Sequence, residues 1–171
     1  PMDADTDNDG LIDGIEVFGW EILVVNRGVE ITLVVSDPGL ADTDSDGLSD
    51  FLEYSSLCDS GSNASNPDTD GDGLDDQFEA TGGGGTLQWP VGGGEAYTTS
   101  PCAFDTDNDG LEDGQEVIVG KDGFLTHANN SDTDGDGLKD GNEVLYIPRP
   151  FQEQTHPLLN DTDADGMLDG W

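Results

Sequence analysis

Positive charge is scarce in this chain. Four of its 171 residues are Lys or Arg, against 39 Asp and Glu, and the formal charge is −35. Phosphate recognition needs clustered cations, so nucleic acid is excluded as a partner. Long apolar runs are also missing. None approaches the roughly 20 residues of a membrane span, and no stretch of the sequence reads as a signal peptide, so any targeting signal is expected elsewhere in a longer protein. No Ser-His-Asp grouping finds support. His127 and His156 fall at equivalent places and read as structural. The glycine-rich stretch Thr81–Gly85 lacks the Lys and the following helix of a phosphate loop. Enzymatic chemistry is not expected.

What the chain does have is aspartate at fixed intervals. In Asp132–Glu143, DTDGDGLKDGNE, carboxylates occupy positions 1, 3, 5, 9 and 12 of a twelve-residue loop, and Gly137 occupies position 6. Alternate aspartates in a tightly curled loop aim at one point. The glycine takes a left-handed turn that a Cβ resists. The carbonyl of position 7 faces the same point, and position 12 is expected to start a helical turn, from which its longer carboxylate reaches back. This is the ligand order of an EF-hand-like calcium loop, and hard oxygen ligands at this count suit calcium better than zinc or magnesium.

The pattern occurs six times, at 5–16, 42–53, 68–79, 105–116, 132–143 and 161–171, the last stopping at position 11. The expected ligands at position 1 are Asp5, Asp42, Asp68, Asp105, Asp132 and Asp161. Position 3 holds Asp7, Asp44, Asp70, Asp107, Asp134 and Asp163, and position 5 holds Asp9, Asp46, Asp72, Asp109, Asp136 and Asp165. The carbonyls of Leu11, Leu48, Leu74, Leu111, Leu138 and Met167 serve at position 7. Asp13, Asp50, Asp76, Asp113, Asp140 and Asp169 stand at position 9, and Glu16, Glu53, Glu79, Glu116 and Glu143 at position 12. A single copy could be an acidic turn, but internal repetition leaves that reading little room.

These carboxylates are 29 of the 39 acidic residues, so the charge is not a diffuse acidic surface. Five of them in one loop repel strongly without a cation. Six calcium ions bring −35 to −23 and twelve bring it to −11, so calcium is expected at one or two ions per loop. Calcium-bound carboxylates cannot act as general acids. Loops of modest affinity need millimolar calcium, which points outside the cell, where disulfides persist. Cys58 and Cys102 are therefore expected to pair across the whole third loop, worth on the order of 4 kcal/mol by chain entropy. Asn63, Asn129 and Asn160 fit the N-glycosylation acceptor pattern.

Successive loops are 37, 26, 37, 27 and 29 residues apart, a long step followed by a short one. A lead-in recurs, with Ser or Thr six residues before the first aspartate and Pro or Ala four before it: Ser36/Pro38, Ser62/Ala64, Thr99/Pro101, Thr126/Ala128 and Thr155/Pro157. Proline disfavours the entering helix of a true EF-hand. The lead-in is expected to be extended, with its Ser or Thr available to a neighbouring ion. The apolar residue sits at position 7 and not at 8, so the six position-7 side chains are expected in a thin core strung along the array. The first long step contains Trp20–Val25 and Val29–Val35 about Asn26-Arg27-Gly28, a β-hairpin over 20–35. Both of its faces are apolar. One can lie over Leu11 and Ile15; the other needs a neighbouring unit, an adjacent copy, or the second loop near Phe51 and Leu52. Thr86–Val91 reads as a degraded hairpin and Val144–Pro157 as irregular.

The blocks DTDNDGL, DTDSDGL, DTDGDGL (twice) and DTDADGM resemble thrombospondin type-3 repeats and their bacterial relatives. The first unit also resembles the calcium-binding segment of the anthrax protective antigen family. The first resemblance implies a mostly irregular, elongated, calcium-wrapped array with short helical turns and inserted hairpins, whose loops hold up to two ions each. It implies one array over 1–171, excerpted from a longer protein, used as an extracellular or cell-surface stalk, spacer or fibre-forming segment. A calcium-binding module appended to a secreted enzyme or toxin is the alternative. The partners expected are calcium and neighbouring repeats or copies, with a head-to-tail filament as one form of assembly.

Overall fold

The computed structural model describes residues 4–82, 98–118, 123–145 and 154–171. Most of them are irregular. The regular elements among them are five short helices, α1 (Asp13–Phe18), α2 (Asp50–Ser55), α3 (Asp76–Thr81), α4 (Asp113–Val117) and α5 (Asp140–Val144), and the strands β1 (Trp20–Val25) and β2 (Val29–Val34). The chain divides into two compact units, Pro1–Gly85 with Ala96–Phe104, and Thr86–Glu95 with Asp105–Trp171. The first holds loops 1 to 3 and the second loops 4 to 6. The hairpin expected over 86–91 and most of the insert at 144–157 lie outside the described residues.

Every helix starts at position 9 of its loop and is five or six residues long, too short to be stable alone. Capping accounts for two of them. The Ser49 side chain accepts from Leu52 N–H on α2, and Glu112 and Gln115 form a capping box on α4. What the loops have in common is charge and, in five of the six, a closing bond. The N–H of position 9 donates to the carbonyl of the residue before position 1: Asp13 to Ala4 at 3.0 Å, Asp50 to Ala41 at 3.2 Å, Asp76 to Pro67 at 2.9 Å and Asp140 to Ser131 at 3.2 Å. Asp and Glu in the first turn oppose the positive end of the helix dipole. The loop between curls through two left-handed residues. Position 6 is always glycine, at φ 90–107°, and position 4 is Asn8, Ser45, Gly71, Asn108, Gly135 or Ala164, all at positive φ.

In the first unit the hairpin pairs antiparallel from Trp20↔Val34 to Val25↔Val29, as the sequence predicts. Its inner face is the core. Trp20, Ile22, Val24 and Val34 bury against Leu11 and Ala64, with Ile15 and Tyr54 packed beside them. Trp20 meets Tyr54 of α2 edge-on, with centroids 5.4 Å apart. Each fully buried side chain of this size contributes about 1.5–3 kcal/mol. The free edge of β1 is also occupied: Leu23 N–H donates to Ser60 Oγ at 2.8 Å, and Val25 exchanges bonds with Cys102 and Phe104 at 2.8 and 3.3 Å. The other face of the hairpin is exposed, Ile31 at 67% and Leu33 at 63%. Cover from Phe51 and Leu52 is not found. Phe51 lies over Gly10 instead. The position-7 row is buried at Leu11, Leu48, Leu74 and Leu111 and partly at Leu138, but Met167 is 59% exposed, a departure from the expected core row.

Cys58 and Cys102 form a disulfide across 44 residues. It fastens the Cys102–Phe104 segment where that segment edges β1. The Cys58→Ser, Cys102→Ser double variant is expected to lose about 4 kcal/mol of stability in calcium, read from urea unfolding followed by Trp20 fluorescence. A loss below about 1 kcal/mol contradicts this role.

Candidate metal centre

In loops 1 to 4 one carboxylate oxygen from each of positions 1, 3 and 5 lies within 4.8 Å of the others. Backbone N–H groups of the loop hold these side chains in place. Asp42 accepts from Ser45 and Gly47 at 2.7 and 3.2 Å, and Asp132 from Gly135 and Gly137 at 2.8 and 2.9 Å. At position 3, Oδ1 accepts from the N–H of position 5, as in Asp44 from Asp46 at 3.2 Å and Asp107 from Asp109 at 3.1 Å. At position 5, Oδ1 accepts from position 7: Asp9 from Leu11 at 2.6 Å and Asp109 from Leu111 at 2.7 Å.

The buried Oδ2 atoms of Asp7, Asp44, Asp107 and Asp134 accept no hydrogen bond, nor do Oε2 of Glu16, Glu53 and Glu116. These glutamates are at most 1% exposed. A buried carboxylate oxygen without a donor is costly, and here such oxygens recur at the same two positions of successive loops. Hard, anionic, unpartnered donors at this count fit calcium. When bound, the ion supplies the positive charge they lack.

Position 9 behaves differently. In every loop its two oxygens are taken by the threonine at position 2: Thr43 donates N–H and Oγ1–H to Asp50 at 2.8 and 2.7 Å, and Thr133 does the same to Asp140 at 2.9 and 2.6 Å. The threonine hydroxyl in turn accepts from the N–H five residues before the loop, from Asn63 to Thr69 at 2.8 Å and from His127 to Thr133 at 3.0 Å. The side chain of that preceding residue closes a turn. Asp37, Asn63, His127 and His156 each accept from the N–H two residues on, the histidines through Nδ1 at 3.2 and 3.1 Å. Both histidines thus stand where Asp and Asn stand in other lead-ins.

Within each unit, successive loops are joined by one repeated bond. Oδ2 of position 5 accepts from the N–H of position 10 in the next loop. The pairs are Asp9 from Phe51 at 2.8 Å, Asp46 from Gln77 at 3.2 Å, Asp109 from Gly141 at 2.9 Å and Asp136 from Gly170 at 2.9 Å. The approach is close. A Cβ on Gly141 would come within 2.4 Å of the Asp109 carbonyl oxygen.

Burial pushes these carboxyls up first, and neighbouring charges add to it. Glu53 and Glu116 rise to about 9, each beside the position-3 and position-5 aspartates of its loop. Glu16 and Glu143 rise to about 7, and Asp44 and Asp107 to about 6. Asp76 rises to about 7 and Asp140 to about 6. Both feel the position-3 and position-5 aspartates of the loop before, Asp44 with Asp46 and Asp107 with Asp109. Asp50 likewise raises Asp7 and Glu16, and Asp169 raises Asp134. The position-9 carboxylate therefore faces the acidic cluster of the preceding loop as well as its own threonine.

A family model described as the bacterial TSP3 repeat matches residues 5–18, 68–84, 105–120 and 132–146. These four segments are thrombospondin type-3-like repeats. No curated protein matches the chain. TSP3 repeats are calcium-binding structural repeats, in keeping with the acidic clusters. Among the described residues of the array, no helix is long and apolar enough to cross a membrane. The ligand pattern of the sequence does not mark the threonine of each loop, although Thr at position 2 of all six loops is a legible signal.

The pKa shifts fix a pH dependence for the metal-free array. A carboxyl whose folded pKa is raised stabilises the fold fully below its unfolded value, near 4, and this stability is lost as pH climbs through the folded value. Here that spans about 6 to 9. In calcium-free buffer the urea midpoint is expected to fall from pH 5 and to reach zero before pH 8, and in saturating calcium it is expected not to fall. Parallel pH profiles with and without calcium would contradict the assignment.

Proposed function

We propose that the chain is an extracellular calcium-stabilised structural segment, a stalk, spacer or fibre-forming part of a surface or secreted protein, with no catalysis of its own. The observation that carries this reading is the recurrence, loop after loop, of buried carboxylate oxygens that accept no hydrogen bond. Calcium wrapped by each loop, at one or two ions apiece, satisfies them. The Cys58–Cys102 bond supports an oxidising compartment. Asn129 and Asn160 lie exposed, where a glycan can be carried. Because most of each ligand set is buried charge, the metal supplies much of the folding free energy. Chelation at pH 8 is expected to abolish the near-ultraviolet signal of Trp20 and to expand the scattering radius, both reversed by added calcium. An unchanged spectrum and radius would reject the reading.

The outer hairpin face supports assembly with a further repeat or an adjacent copy, and a head-to-tail contact of this kind extends into a filament. Leu23 projects outward and Val24 inward. Leu23→Asp is expected to keep the fold and reduce association in light scattering, while Val24→Asp unfolds the first unit. Association unaltered by Leu23→Asp would remove the face from assembly.

A further inference from the structure

We infer that the calcium affinity of each loop is set by the segment that follows it, so that coupling along the array runs backwards, from loop n+1 to loop n. This rests on the calcium reading above. In loops 1 to 4 the lead-in Ser or Thr, which in sequence belongs to the next loop, bonds the position-12 glutamate of the loop before. Ser62 Oγ donates to Glu53 Oε1 at 3.1 Å, Thr99 to Glu79 at 3.0 Å, Thr126 to Glu116 at 3.0 Å, and Ser36 to Glu16 at a longer 3.5 Å. In Glu16, Glu53 and Glu116 that bond takes Oε1 and leaves Oε2 buried and without a donor.

Two more contacts point the same way. The position-5 aspartate of loop n is oriented by an N–H of helix n+1, as Asp109 is by Gly141. The position-9 aspartate of loop n+1, locked by its own threonine, stands against the acidic cluster of loop n, as Asp140 does against Asp107 and Asp109. Three groups of the later segment thus orient or face ligands of the earlier loop. Thr126 and Ser62 are positioning residues. They touch a ligand and fix which of its oxygens is left for the metal. Loss of such an outer partner typically weakens metal binding 10- to 100-fold.

The experiment is a calcium titration of the full chain followed by NMR, one glycine amide per loop. The position-6 N–H donates to the position-1 aspartate, Gly110 to Asp105 and Gly137 to Asp132, so these two amides report loops 4 and 5 separately. Thr126→Val is expected to weaken loop 4 by about tenfold and leave loop 5 within about twofold, and Thr126→Ser is expected to restore loop 4. Ser62→Ala, a milder change, is expected to weaken loop 2, read at Gly47, and spare loop 3, read at Gly73. Weakening of the loop whose lead-in was changed, equal weakening of both, or no weakening of either overturns the inference. If no amide of the unaltered chain responds to calcium, the calcium reading itself fails.

Discussion

Several carboxylates crowd together in each loop, and two unit charges about 4 Å apart repel by about 4 kcal/mol at an effective dielectric near 20. Almost every other feature of the fold answers to this repulsion. In loop 2 the N–H groups of positions 2, 4, 5, 6 and 7 are all spent on aspartate oxygens. What remains are inward oxygens with no donor. Rigidity and metal demand therefore have one origin: the hydrogen bonds that shape the loop also decide which lone pairs are left for the ion. Proton or cation must neutralise the cluster, and at neutral pH a proton does so only on the groups pushed to about 7 or above.

The junction between loops is indifferent to the length of chain between them. The position-5 to position-10 bond forms across steps of 37, 26, 27 and 29 residues. What cannot vary is the lead-in. Its hydroxyl serves the glutamate behind it, and its next N–H serves the threonine ahead. An insert placed between a helix and the next lead-in leaves both bonds intact, which is why a whole hairpin fits there.

Local periodicity made the loops, the position-6 turns and the hairpin legible, because each depends on residues within a dozen positions of one another. The helices start at position 9, three residues before position 12, where the helical turn was expected to start. The disulfide was legible from compartment and count. The destination of the lead-in hydroxyl was not. Thr126 was expected to be available to a neighbouring ion, and it bonds Glu116 instead, ten residues back. A twelve-residue template centred on one ion also placed position 9 among that ion's own ligands, whereas Asp140 is tied to Thr133 and faces Asp107 and Asp109. Such relations between successive loops repeat with the loops but leave no mark inside any one of them. Met167 escaped the core row because burial depends on what packs against a loop, which position alone does not state.

The hairpin shows how an insert acquires properties the loops do not require. A two-stranded ribbon is marginal alone. Here one face carries Trp20, Ile22, Val24 and Val34 into the core, and the edge of β1 is held by Ser60 and by a segment fastened through Cys102. Those contacts suffice to hold the ribbon. Leu23, Val25, Val29, Ile31 and Leu33 on the opposite face are not part of that packing, and a fold selected only for its loops would tolerate Thr, Lys or Glu at these places, as solvated faces of antiparallel sheets usually carry. Five aliphatics in register on an otherwise acidic chain make a contiguous apolar patch, and such patches mark contact surfaces in soluble proteins. The calcium loops account for how the unit holds together, and the outer face of the hairpin is the part of it whose chemistry is directed outward.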